Sequence, residues 1–304
     1  MDTYYIRHNA KLDINDATRQ KLWDGRRIGI HYPQDKHDEL LKRDNSSLNL
    51  ADYRSGAWKP MGALIELAKN GGYVCAEYHQ HTECILGYVK PASAIELIRG
   101  VWGSRNGYEG REAILKTLQL DKVKIVSRSD SAVILVGRPQ QGTICRWKRA
   151  GKTIENAVEG RRAIPSLGDL FPAQQEIMCS EFLRSENAEQ LGLPKLVHLL
   201  LPVGRTMRGI DIYGISGSGS AIFAQVTYLD LERCSEKLET LRQYRDGKRN
   251  ALALFCDCED AEYKDGVQII PLRKVYAKFN STPTGKLWLE RATNVSEIKD
   301  TPGR

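Results

Sequence analysis

The sequence predicts an α/β protein in two parts, a mixed α/β domain over residues 1–162 and an α/β/α sandwich over residues 163–304. Three observations predict it. The second half reads, in order, as a long helix, three strands, a helix and a strand. The first half mixes short strands with a few helices and holds neither a repeat nor a low-complexity tract. Between them, Arg161-Arg162-Ala163-Ile164-Pro165-Ser166 is charged, contains proline and precedes a fresh helix signal.

In the first half, residues 27–32 (RIGIHY) read as a strand. Residues 61–69 form a short amphipathic helix stopped by Asn70-Gly71-Gly72. Residues 73–78 and 85–89 pair as strands across a polar turn. A helix is expected over 110–120, then strands over 123–127, 132–137 and 143–147. These pieces make a small curved sheet or a barrel.

In the second half, residues 173–191 form one long helix, with Met178 and Phe182, and Cys179 and Leu183, as apolar pairs four residues apart. Strands follow at 196–201, 209–213 and 221–228, the last entered through the turn Ser216-Gly217-Ser218-Gly219-Ser220. A helix at 230–244, a buried strand at 251–256 and a strand at 268–270 leading into a helix at 271–279 complete the order.

The bulk figures narrow the function. With 304 residues, 41% hydrophobic and 27% charged, the chain has the composition of a folded protein and excludes wholesale disorder. The net charge of +7 favours a polyanionic partner through counterion release. The first residues resemble no signal peptide and no apolar run is long enough to span a bilayer, so a cytoplasmic protein with no membrane partner is expected. Seven cysteines, an odd count without framework spacing, read as free thiols.

The chemistry concentrates in Gly209-Ile210-Asp211-Ile212 and Gln225-Val226-Thr227. Gln225 and Thr227 are two apart on a strand and so share a face, while Ile222, Ala224, Val226 and Tyr228 fill the other. Burying such polar groups requires partners, a metal ion or a hydrogen-bond network. In the plainer reading Asp211 caps a loop or pairs with Arg205 or Arg208, and Gln225 and Thr227 pair within the sheet.

These residues resemble the PD-(D/E)XK nuclease superfamily, most closely its Mrr-like restriction endonuclease branch, over roughly residues 174–256. The resemblance implies a restriction-endonuclease-like sandwich. It matches Asp211 to the motif aspartate, Gln225 to the Glu/Gln position, and Glu176, with Glu181 as the weaker alternative, to the helix acid. It implies Mg²⁺ or Mn²⁺ held by Asp211, Gln225 and Glu176, with the Val226 carbonyl as a further donor. The lysine position of the motif holds Thr227, which has no charge to offset an anionic transition state. Lys237 on the following helix is the leading replacement, with Lys195 and Arg205 behind it.

Residues 138–152 contain Arg138, Arg146, Lys148, Arg149 and Lys152 and no acid, with Trp147 among them. They read either as a nucleic-acid grip with Trp147 stacking on a base or as a solvated hairpin with Trp147 in the core. Arg205 and Arg208 are further phosphate contacts. The stretch 71–89 is faintly similar to PUA-like or EVE-like barrels. That resemblance implies a pocket for a flipped base, with Trp23, Tyr32 and Trp58 as candidate lining. His79-Gln80-His81 with Cys84, and Cys256-Asp257-Cys258, are each half a metal site and read as structural. The glycine–serine turn lacks the Gly-Lys-Ser/Thr of a phosphate loop.

The expectation is therefore a metal-dependent DNA endonuclease of restriction or anti-phage defence type. It would read double-stranded DNA through its first half and pair as a homodimer, as nucleases of this type do to cut two strands. The alternatives are a nuclease-fold protein that binds nucleic acid without cutting it, and a subunit that docks a partner protein of a defence complex.

Overall fold

The computed structural model describes residues 1–9, 12–32, 46–53, 55–105, 107–139, 141–200, 209–247 and 249–295. Two units divide the chain: Met1–Ile164 together with Thr293–Arg304, and Pro165–Ala292. The return of the chain to the first unit is fixed by Asn294, whose side chain accepts from Ala163 N (2.7 Å) and donates to Ala163 O (3.1 Å).

The first unit contains β1 (Thr3–His8), α1 (Asp16–Asp24), β2 (Arg27–Ile30), α2 (Ser55–Asn70), β3 (Gly72–Tyr78), β4 (Cys84–Val89), β5 (Glu96–Val101), β6 (Glu112–Gln119), β7 (Asp121–Val126), α3 (Arg128–Leu135), β8 (Ile144–Arg146) and α4 (Gly151–Val158). Its strands form a five-stranded sheet in the order β7-β4-β3-β1-β8 and a three-stranded sheet in the order β2-β6-β5. Among the described residues no barrel closes, because the strands divide between two sheets rather than running round one; β1 and β3 lie parallel in the larger.

Two local expectations fail for physical reasons. Residues 110–120 are not a helix but contain β6, which pairs with both β2 and β5. Its Leu115, Lys116, Thr117 and Leu118 are all buried, so burial on both faces erases the alternation that marks a strand. Residues 132–137 are not a strand, since α3 occupies 132–135 and a turn follows it. Ser127 caps that helix by accepting from Asp130 N, and this cap outweighs the β-branched Val133 and Ile134.

The second unit contains α5 (Pro172–Leu183), α6 (Glu186–Glu189), β9 (Leu196–Leu199), β10 (Ile212–Ser216), β11 (Ala221–Asp230), α7 (Ser235–Arg242), β12 (Asn250–Asp257), β13 (Glu262–Lys264), β14 (Val267–Pro271), α8 (Leu272–Ser281) and α9 (Pro283–Thr293). The single helix expected over 173–191 is two. Ser185 ends the first by donating to Phe182 O (2.6 Å) and caps the second by accepting from Asn187 N (3.3 Å).

The six strands lie in the order β13-β14-β12-β11-β10-β9, with β11, β12 and β14 parallel and β9–β10–β11 an antiparallel meander. Side chains alternate across this sheet. Ile222, Ala224, Ala253, Phe255 and Ile270 pack with Met178, Cys179 and Phe182 of α5 and with Leu272 and Val275 of α8. Phe223, Leu252, Leu254 and Ile269 face the other way, onto Leu238 and Leu241 of α7. The result is an α/β/α sandwich. Phe182 meets Phe255 edge to face at 6.0 Å, and burying one such side chain contributes about 1.5–3 kcal/mol.

Candidate active site

β10 and β11 are joined by the tight Ser216–Ser220 turn, and Ile212 stands opposite Ala224. Just before β10 the ladder ends. Asp211 N still donates to Ala224 O at 3.0 Å, while the Asp211 carboxylate accepts the Val226 amide through Oδ2 at 2.8 Å. A side chain thus completes what the backbone no longer can, and a half-buried N–H is satisfied. The plainer reading of Asp211 as a cap is part of the observed arrangement; Arg205 and Arg208, its suggested ion partners, lie outside the described residues.

Gln225 is 2% exposed and points to the α7 side of the sheet. Its Nε2 donates to Gly209 O, and its Oε1 accepts from Lys237 Nζ at 3.4 Å. Leu238 and Leu241 fix α7 in the core, which sets the direction of Lys237. The lysine stem is half-buried and its ammonium reaches inward to the strand. Gly209 holds φ +90°, and a Cβ there would meet Thr240 Cγ2 at 2.7 Å, so only glycine places its carbonyl against Gln225.

The electrostatics join these groups. Burial raises the pKa of Asp211, and the Val226 N–H and the Lys237 charge work against that rise. On the α5 side, burial first, then the carboxylates of Glu176 and Asp211, push the Cys179 thiol well above its ordinary value. Glu176 is 8% exposed, so a buried helix acid and Asp211 act on one thiol. Asp211, Gln225 and Lys237 therefore form one cluster, and Glu176, on α5, is linked to it only through the charge that both acids exert on Cys179.

As a metal site, this donor set is small. Among the described residues no three His, Cys, Asp or Glu side chains gather to hold an ion. The available donors are two carboxylates and the Gln225 amide oxygen, all hard oxygens of the kind that suit Mg²⁺ or Mn²⁺. A carboxylate held up by burial is also one that gains from a nearby cation. Asp211 and Gln225 alone are too few donors for a hard dication, and a site would need the Glu176 carboxylate as well.

Other expected positions part from the cluster. Thr227 Oγ1 accepts from Leu229 N at 3.2 Å, a local turn bond. Lys195 is exposed, Arg205 lies outside the described residues, and Glu181 is exposed and paired with Arg184 at 3.1 Å. In the first unit, Trp147 is 4% exposed and meets Tyr5 edge to face at 5.5 Å, so it is a core residue and offers no face to a base. Arg138 pairs with Glu77 at 2.5 Å, and Arg146 pairs with Asp2 and Glu66. Lys148 and Arg149 are exposed.

The three aromatic candidates have separate roles. Trp23 is covered by His81, stacked at 3.7 Å. Tyr32 donates to Thr143 Oγ1 at 2.9 Å, and Trp58, 50% exposed, donates to Tyr53 O at 2.7 Å. In the first half-site, His81 sits on Trp23, and Cys84 is buried and bonded to Ser131. Sequence reasoning named Gly209 but missed that its carbonyl holds Gln225 and that Thr240 leaves no room for a side chain there. The glycine directly before Ile-Asp-Ile was the available signal.

No protein-family model, curated protein or solved structure matches this chain.

Proposed function

We propose that Pro165–Ala292 is a nuclease unit of PD-(D/E)XK type, and that the chain is a metal-dependent DNA endonuclease of restriction or anti-phage defence type. In this reading the first unit contacts DNA. The observation that carries it is the approach of Lys237 Nζ to Gln225 Oε1, beside Asp211. It supplies, beside Gln225, a positive charge that Thr227 cannot provide. The order of helix, meander, helix and parallel strand is the order that the resemblance implies.

Each residue then has a task. Asp211 and Gln225 would hold the cation, with Glu176 as the third donor. Lys237 faces the anionic phosphate and offsets the charge that grows on it during attack. Gly209 keeps the Gln225 amide in one orientation. A bound Mg²⁺ or Mn²⁺ would supply polarisation of the phosphate and a water of lowered pKa. The exposed Lys148 and Arg149 provide phosphate contacts in the first unit.

A second reading has its own support: with two carboxylates and an amide as donors, the unit would bind nucleic acid without cutting it. Plasmid cleavage with Mg²⁺, Mn²⁺ or EDTA separates the two. Metal-dependent nicking that is lost in Asp211→Ala supports the nuclease. Salt-sensitive binding without nicking supports the binder. Neither cutting nor binding defeats both.

A further inference from the structure

A cleft of about 680 Å³ opens in Pro165–Ala292 where β11, β12 and β14 begin, at Ser220, Asn250 and Gly266. Gln225 lies five residues along β11 from Ser220, and no residue of the Asp211 cluster lines the cleft. Arg245 and Arg249, from the connection between α7 and β12, enter it with Tyr263 of β13 and one carboxylate, Glu189.

The two arginines are exposed, and among the described residues neither forms an ion pair. Their neighbour Arg242 behaves differently: it binds both Glu239 and Asp265. Arg245 is nonetheless placed. Its guanidinium lies on Gly266, at φ +87°, where a Cβ would meet Arg245 Cζ at 3.0 Å. The bare glycine makes room for a flat cation beside the cleft. Tyr263 is 71% exposed on a three-residue edge strand, so a large aromatic face is presented to solvent.

We propose that this cleft binds a nucleotide, with its phosphate on Arg245 and Arg249 and its base on the Tyr263 ring. Guanidinium forks match phosphate oxygens, and an aromatic face accepts any base. The volume is that of a small-molecule site. The nucleotide comes either from a single strand of nucleic acid or from a free mononucleotide. The site does not depend on cleavage at Asp211.

The test uses the full chain in EDTA. Binding of a fluorescein-labelled thymidine dodecamer and its displacement by AMP are followed by fluorescence anisotropy. The variants are Arg245→Ala/Arg249→Ala, Tyr263→Ala and Tyr263→Phe, all at exposed positions, with thermal melts confirming that each folds. The arginine pair is expected to weaken binding at least tenfold and to flatten its salt dependence by about one unit of slope. Tyr263→Ala is expected to lose about tenfold and Tyr263→Phe to bind as the wild type does. Displacement by AMP at low millimolar concentration assigns the site to free nucleotides, and resistance to it assigns the site to strands; either supports the cleft. Unchanged binding in the arginine pair, or no binding of either probe by the wild type, overturns it. Loss in the arginine pair with none in Tyr263→Ala overturns the nucleotide assignment.

Discussion

Lys237 Nζ stands 3.4 Å from Gln225 Oε1, an ammonium from a helix set against an amide on the neighbouring strand. A charge two positions along that strand would need a lysine at Thr227. Here the helix brings one from twelve residues away in sequence. Removing it should cost what removing one preorganised charge donor costs, about 10²–10³ in rate. Lys237→Ala is therefore expected to slow plasmid nicking by that factor while still folding, with a melting temperature lowered modestly by the Gln225 oxygen left without its donor. Thr227→Lys in the same background should restore part of the rate. Full activity in Lys237→Ala would remove the relocated-lysine argument.

Asp211 makes a stability prediction as well as a catalytic one. Its pKa is raised, chiefly by burial, so the folded state favours the protonated form. Its contribution is favourable below the ordinary carboxylate pKa and is lost as pH rises through the raised folded value. Asp211→Asn removes that charge and keeps an oxygen for Val226 N. Its melting temperature, measured against the wild type, should gain progressively from pH 3.5 upward and then level off. Asp211→Ala leaves the Val226 amide without its acceptor and should cost about 1–3 kcal/mol. Added Mg²⁺ should raise the wild-type melting temperature and leave Asp211→Asn unmoved. A Mg²⁺ shift of equal size in both would place the ion elsewhere.

His8 ties three strands of the first unit together. Its Nε2 accepts from Gly29 N and its Nδ1 donates to Glu77 O, both at 3.1 Å, which fixes the neutral tautomer. Protonation would set an N–H against an N–H. Burial lowers its pKa to about 4, and burial does the same to His31. Both are depressed below the ordinary 6.5, so stability is present above pH 6.5 and lost as pH falls toward 4. Each is worth on the order of 3 kcal/mol. Four of the five tryptophans lie in Met1–Ile164, so tryptophan fluorescence reports its unfolding. His8→Gln retains a donor and an acceptor and should remove about half of the acid sensitivity. An unchanged acid slope in that variant would show that His8 does not set it.

The α/β/α order was legible because strand and helix periods differ and because β10–β12 carry strong apolar runs. Asp211 and Gln225 were legible because polar residues on such strands demand partners. Lys237 was legible only as a candidate, since its approach to Gln225 depends on how Leu238 and Leu241 seat α7. The failures have two causes: the side chains of Ser127 and Ser185 start or break helices locally, and in β6 tertiary burial overrides the local pattern. Lys116, fully buried with its Nζ 5.1 Å from the Tyr53 ring centroid, makes β6 look unlike a strand. Arg245, Arg249 and Tyr263 come together only in the fold.

The basic stretch around Trp147 separates packing from binding most sharply. Trp147 is buried against Tyr5, whereas Lys148 and Arg149, next in sequence, face solvent. A charged neighbour does not make the ring a nucleic-acid contact; the strand's burial does the opposite. Trp147→Ala should open a cavity in the first unit and cost about 3–5 kcal/mol, read as a lower melting temperature by fluorescence or calorimetry. Lys148→Ala/Arg149→Ala should leave the melt within about 0.5 kcal/mol of wild type. It should also weaken duplex DNA binding and lower the slope of log affinity against log salt by roughly two. The reverse pattern, a Trp147→Ala protein that melts like the wild type but loses DNA affinity, would mean that the ring leaves the core to reach a base.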